Sequence, residues 1–166
     1  MSVSNKCSNG HVTRNVDFFS CRISPSHSRY QNKQTIQCYL TSTQTYSSGI
    51  ICGECGTSTV KCEQYHLSPS LLPVYIEGTN MTPDDTFTLH MSGEDITYVI
   101  TGVIYYGASH FMARYVDAEG IVWFNDGYVN GRVAIREGII TGVDMSVAVD
   151  GRTPVFVMCR RLDDTA

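Results

Sequence analysis

Ile96-Thr97-Tyr98-Val99-Ile100 opens a β-prone run that continues through Val103-Ile104-Tyr105-Tyr106 and stops at Gly107. β-branched and aromatic side chains suit a pleated, half-buried surface, so the run predicts one long strand. In Phe111-Met112-Ala113-Arg114-Tyr115-Val116-Asp117, alternate side chains point to opposite faces: Phe111, Ala113 and Tyr115 to one, Met112, Arg114 and Val116 to the other. Asp117-Ala118-Glu119-Gly120 reads as a turn, Ile121-Val122-Trp123-Phe124 as a short return strand, and Asp126-Gly127 as another turn signal. Val155-Phe156-Val157-Met158-Cys159 is apolar on both faces, as a central strand would be. No long stretch carries a helical period, though residues 35–44 suit a short helix. The expected fold class is α+β, mainly antiparallel β, with a polar, Cys-bearing extension at the front.

Working outward, the 166 residues suit one domain and can bury a core without staples. The net charge of -4 argues against nucleic acid, because a phosphate binder needs a basic stripe, and the densest basic spot is the pair Arg160-Arg161. No apolar run is long enough to span a bilayer, so no membrane is expected. The start, MSVSNKCSNGH, has no apolar core and does not read as a secretory signal. A reducing, intracellular setting, cytoplasmic or nuclear, is therefore expected. There the seven Cys, an odd number, would be buried thiols, metal ligands or nucleophiles. Fourteen Gly and ten Tyr favour short strands and tight turns over helices.

Six of the seven Cys fall in residues 1–66, a polar zone. Residues 67–93 hold the apolar stretch Leu71-Leu72-Pro73-Val74-Tyr75-Ile76 and then a loop over 78–85, and residues 95–160 are the β-rich zone. Zinc takes about four N or S ligands in a tetrahedron, and a C-x2-C turn supplies two thiolates from one knuckle. Cys52-Gly53-Glu54-Cys55 has that spacing, with Gly53 and Gly56 permitting the bend. Cys7-Ser8-Asn9-Gly10-His11, a C-x3-H with Gly10 at its bend, is the best second pair. The expected structural zinc site is Cys7, His11, Cys52 and Cys55, joining two hairpin tips. Cys21, Cys38, Cys62 and Cys159 read as buried thiols, and His27, His66 and His90 as surface histidines.

His110 begins a strand just after the turn Tyr106-Gly107-Ala108-Ser109, and Asn125 and Asp126 end the return strand. A hairpin built this way brings the two ends together. A general base needs an amide or carboxylate at its ring to fix its tautomer, so His110, Asn125 and Asp126 form the catalytic candidate.

The run from Tyr98 through Val116, followed by Val122-Trp123-Phe124-Asn125-Asp126-Gly127, resembles the His box of ubiquitin-specific proteases. That box runs roughly Y-x-L-x-G-V-I-x-H-x-G, then G-H-Y, a strand, and W-x-x-[FY]-[ND]-D. Ile51-Cys52-Gly53-Glu54-Cys55 and Leu71-Leu72-Pro73-Val74-Tyr75-Ile76 are similar to the second zinc knuckle and the strand after it, and Thr153-Pro154-Val155-Phe156-Val157-Met158 to the closing strand. The resemblance covers nearly the whole chain from Cys7. It implies a single partial domain over 1–166: a zinc-bearing fingers region over 1–66 and a papain-like cysteine-protease palm over 67–166, without the N-terminal thumb. It implies His110 as general base and Asn125 as the third triad member, with Asp126 as helper or substitute. It also implies ubiquitin or a ubiquitin-like protein as partner, its C-terminal tail lying beside the His110 strand.

The chain departs from the family pattern in several places. Ser109 stands for Gly before the His, Phe111 for Tyr after it, the spacer of two between Trp123 and Phe124 is missing, and the first knuckle is C-x3-H. The family's nucleophilic Cys box has no counterpart; the nearest echo, Gln37-Cys38-Tyr39-Leu40-Thr41-Ser42, lacks the preceding Gly-Asn. The leading expectation is a divergent deubiquitinase-like chain, inactive alone for want of a thiolate and able to bind ubiquitin: a fragment or pseudoenzyme. The alternatives are a zinc-stapled β interaction module with no ubiquitin link, and an active thiol hydrolase that brings Cys38 to roughly 3–4 Å from His110.

Overall fold

The computed structural model describes residues 2–17, 21–22, 35–41, 45–64, 68–91, 93–147 and 151–162. In chain order they form β1 (Ser2–Cys7), β2 (Val12–Asp17), β3 (Cys21–Arg22), α1 (Ile36–Thr41), β4 (Thr45–Ile51), β5 (Ser58–Gln64), β6 (Leu71–Tyr75), β7 (Thr86–Met91), β8 (Glu94–Gly107), β9 (His110–Val116), β10 (Ile121–Asn125), β11 (Ile135–Ile139), a 3-10 turn (Ile140–Gly142) and β12 (Thr153–Arg161). A four-stranded sheet has the order β2-β1-β5-β4. An eight-stranded sheet has the order β11-β10-β9-β8-β12-β6-β3, with β7 paired to β8. The strand pairs are antiparallel except β3 with β6. Among the described residues no helix is long and apolar enough to cross a membrane.

The long run over 94–107 organises the larger sheet. One edge of β8 serves two partners in turn: β7 pairs with its first half, up to Val99, and β9 with its second, from Gly102. Gly102 sits at the handover, where a Cβ would meet the Arg114 carbonyl oxygen at 3.1 Å. A larger residue would push β9 away there. Strand β12 lies between β8 and β6, the central position its apolar sequence predicts.

One face of this sheet is the core. Val74, Val103, Tyr105, Val122, Val157 and Cys159 are buried on it, with Phe87, Leu89 and Met91 from the alternating strand β7. Each such aliphatic or aromatic side chain contributes about 1.5–3 kcal/mol by leaving water. Helix α1 closes the face with Ile36, Tyr39 and Leu40, three and four residues apart. Thr35 caps this helix: its Oγ1 accepts the Cys38 N–H at 3.2 Å. The helix falls within the 35–44 expectation, of which residues 42–44 lie outside the described set.

Strand β11 was not foreseen. Strand β11 follows the polar turn after β10, and its sequence, IREGI, carries no alternation to announce it. It is fixed from outside: the buried Arg114 reaches across from β9 and donates through Nε to Glu137 Oε2 at 2.6 Å and through Nη2 to Oε1 at 3.1 Å. The same guanidinium donates to the Tyr105 hydroxyl, at 3.3 Å, and to the Asp144 carbonyl, at 3.1 Å, so it also ties down the segment after β11.

Candidate functional site: a histidine–aspartate pair and a metal cluster

The β8–β9 turn consists of Ala108 and Ser109, with φ of 50° and 59°. Two successive residues in the left-handed region match the right-handed twist of the flanking strands, which is why two-residue hairpins use that geometry. The turn makes His110 the first residue of β9, opposite Gly107. Its Nε2 lies 2.7 Å from Asp126 Oδ1. An ionised carboxylate only accepts, so Nε2 is the donor of this pair, and in the neutral imidazole Nδ1 is the nitrogen that keeps its lone pair. Burial alone would raise the Asp126 carboxyl, but hydrogen bonds from His110 and from the N–H groups of Tyr128 and Val129 outweigh it and hold the group below the usual carboxylate range.

Asn125, expected as the ring's partner, is turned elsewhere. Its Nδ2 donates to the Gly131 carbonyl at 3.2 Å and the Val133 carbonyl at 2.9 Å. The register explains this. Asn125 pairs with Ala113, and Ala113 is on the opposite face of β9 from His110, three residues away. The next residue, Asp126, takes the His110 side. The expected neighbourhood of the two strand ends is therefore observed, with Asp126 rather than Asn125 as the residue that orients the ring.

Tyr128 was not singled out in the sequence. Its ring stands edge-to-face to the His110 ring, centroids 5.9 Å apart at 71°. No periodic signal marks it, because it sits in a turn.

The other candidate cluster lies at the tips of two hairpins of the smaller sheet. Cys7 and His11 flank the β1–β2 turn, where Gly10 N–H donates to the Cys7 carbonyl at 3.0 Å. Cys52 and Cys55 flank the β4–β5 turn, where Gly56 N–H donates to the Cys52 carbonyl at 2.9 Å. Because β1 and β5 are neighbours, both tips reach the same end. One ligand atom from each of the four residues lies within 4.8 Å of the others. Cys55 Sγ is 3.6 Å from Cys7 Sγ, and Cys52 Sγ is 3.5 Å from His11 Nδ1. A tetrahedral zinc with bonds near 2.3 Å to sulfur has edges of about 3.8 Å, so the donor set fits that ion in kind and in spacing. His11 Nε2 faces Glu54 Oε2 at 3.5 Å, the outer carboxylate that commonly orients a ligating imidazole. The Thr57 hydroxyl and N–H hold the Cys55 thiol down to about 6.

The remaining cysteines divide. Cys159 is buried, and burial pushes its thiol up to about 12. Cys62 is half-buried and Cys38 exposed, so neither is the buried thiol expected. Of Cys21 only the backbone is described. Cys38 is also far from His110. Its neighbour Gln37 brackets Thr88, which lies opposite Thr97, whereas His110 lies opposite Gly107. The intervening strand spans on the order of 30 Å, well beyond proton-transfer reach. Among the described residues no thiol hydrogen-bonds to His110. His90 is exposed and meets Asp95 at 2.9 Å, as a surface histidine would; His27 and His66 lie outside the described residues.

No family model matches the chain, and no curated protein matches it. Solved structures do. The SAGA DUB module Ubp8/Sgf11/Sus1/Sgf73 bound to monoubiquitin matches with a TM-score of 0.63 at 14% identity. The same module bound to ubiquitin aldehyde matches at 0.61 and 14%, and a yeast SAGA DUB module at 0.62 and 15%. Each match covers 98% of this chain and 40% of the other. At that identity the likeness is one of fold: these residues adopt the fold of about two fifths of a chain in that module.

Proposed function

We propose that this chain is a ubiquitin-specific-protease-like domain that binds ubiquitin or a ubiquitin-like protein and supplies the base side of an isopeptide-hydrolysing site. The observation that carries this is the His110–Asp126 pair, 2.7 Å apart at a hairpin tip, within a fold shared with part of a deubiquitinating module. In this reading Asp126 holds the Nε2 proton and His110 Nδ1 accepts the proton of an attacking thiol. The imidazolium later returns that proton to the leaving lysine amine. The thiol comes from outside the described residues. Residues 67–166 act as a papain-like palm and residues 1–66 as fingers, whose tips Cys7, His11, Cys52 and Cys55 would hold together on a structural zinc.

The test is a titration of isotope-labelled chain with ubiquitin, beside ubiquitin lacking its C-terminal tail. Resonances of His110, Phe111 and Asp126 are expected to shift with the intact protein and to stay still with the truncated one. No shift at about millimolar ubiquitin would remove the ubiquitin reading and leave a zinc-stapled β module. Reaction with ubiquitin carrying a thiol-reactive C-terminal warhead, compared with Cys38→Ser, is expected to give no adduct at Cys38.

A further inference from the structure

The turn that follows β10 does more than end the strand. Asp126 Oδ1 accepts the N–H groups of Tyr128, at 2.9 Å, and Val129, at 3.3 Å. The Asp126 carbonyl accepts Val129 N–H at 3.1 Å and Asn130 N–H at 2.7 Å. The Asn125 amide closes the far side on Gly131 and Val133. A turn anchored at both ends nonetheless presents a tyrosine that is 89% exposed. That ring gains almost nothing from burial. The only ring it meets among the described residues is that of His110, at 5.9 Å, inside the range of about 4.5–7 Å at which aromatic rings attract edge to face.

From this we infer that Tyr128 is a positioning residue for His110. Asp126 Oδ1 is shared: it takes the His110 Nε2 proton on one side and the Tyr128 peptide N–H on the other. One hydrogen bond fixes a ring nitrogen but leaves the imidazole free to swing about that bond. The Tyr128 ring, delivered by the same carboxylate, restricts the swing and keeps Nδ1 aimed in one direction. The residue sequence Asp-Gly-Tyr thus sets both contacts of the ring from a single turn. That the oriented nitrogen serves as a base rests on the proposed function; the orientation itself does not.

The experiment compares the native chain with Tyr128→Ala and Tyr128→Phe. Two readouts report on His110 alone: its ring NMR signals, and its rate of carbethoxylation by diethyl pyrocarbonate, resolved from the other histidines by peptide mass. Tyr128→Ala is expected to react about two- to tenfold faster and to lose the single sharp ring signal, the scale an aromatic pair accounts for. Tyr128→Phe is expected to match the native chain, since the ring and the peptide N–H remain. All three should melt together, because the ring is exposed. An alanine variant with native rate and native signal would overturn the assignment, as would a phenylalanine variant that behaves like alanine. Neither readout involves ubiquitin, so a failed ubiquitin titration removes the proposed function without touching this result.

Discussion

At the scale of residues, the two adjacent side chains Asn125 and Asp126 have separable jobs. Asp126→Asn removes the carboxylate that holds the Nε2 proton, so His110 is expected to populate both tautomers, read from its ring nitrogen shifts. Asn125→Ala is expected to leave His110 unchanged and to speed amide exchange over 126–133, where its two hydrogen bonds to Gly131 and Val133 are lost. The pH dependence has a defined sign. Asp126 is held below its ordinary value of 3.8, so as pH falls the unfolded chain takes up the proton first. The contribution of Asp126 to stability is complete above 3.8 and is lost as pH drops through its lower folded value. The gap in melting temperature between the native chain and Asp126→Asn should narrow as pH falls below 3.8 and through the lower folded value of Asp126. Cys-x2-Cys and Cys-x3-His were legible one residue at a time, because short-range spacing alone makes a knuckle. Asp126 over Asn125 was not, because the choice depends on which face each strand residue takes, and that is set by register.

Among the elements, the hairpin tips and the β9–β11 link carry the predictions. Cys52→Ser removes one of four donors; metal per chain, measured by elemental analysis, is expected to fall from about one to near zero, with a lower melting temperature. If metal content and melting both stay native, the cluster is four unliganded side chains. Glu137→Ala leaves the buried Arg114 without its carboxylate. Breaking a buried ion pair by removing one partner costs about 3–5 kcal/mol, which urea unfolding would read directly. Strands β8, β9 and β12 were legible because their β-branched and aromatic runs face a core. Strand β11 was not, because its place comes from Arg114, a residue of another strand. Helix α1 was legible as a short helix over 35–44, of which residues 42–44 lie outside the described residues.

For the whole molecule, the two sheets are expected to respond differently to loss of metal. The smaller sheet is closed at its tips by the Cys/His cluster, whereas the larger one is held by the core that includes Val74, Val103, Leu89 and Val157. Exchange of backbone amides in the presence of a chelator should therefore rise in β1, β2, β4 and β5 and stay slow in β8 and β12. Uniform acceleration across both sheets would mean that the cluster supports the entire fold.

What the sequence determined by itself was the class of the fold, the two knuckles and the His110 hairpin. Alternation, turn residues and ligand spacing are local properties, written within a few residues of each other. What only the tertiary structure decided was which of Asn125 and Asp126 meets His110, that both knuckles reach one end of one sheet, and that Cys38 lies at the far end of β8 from the histidine. Those outcomes depend on strand order and register, which are fixed by the packing of residues distant in the chain.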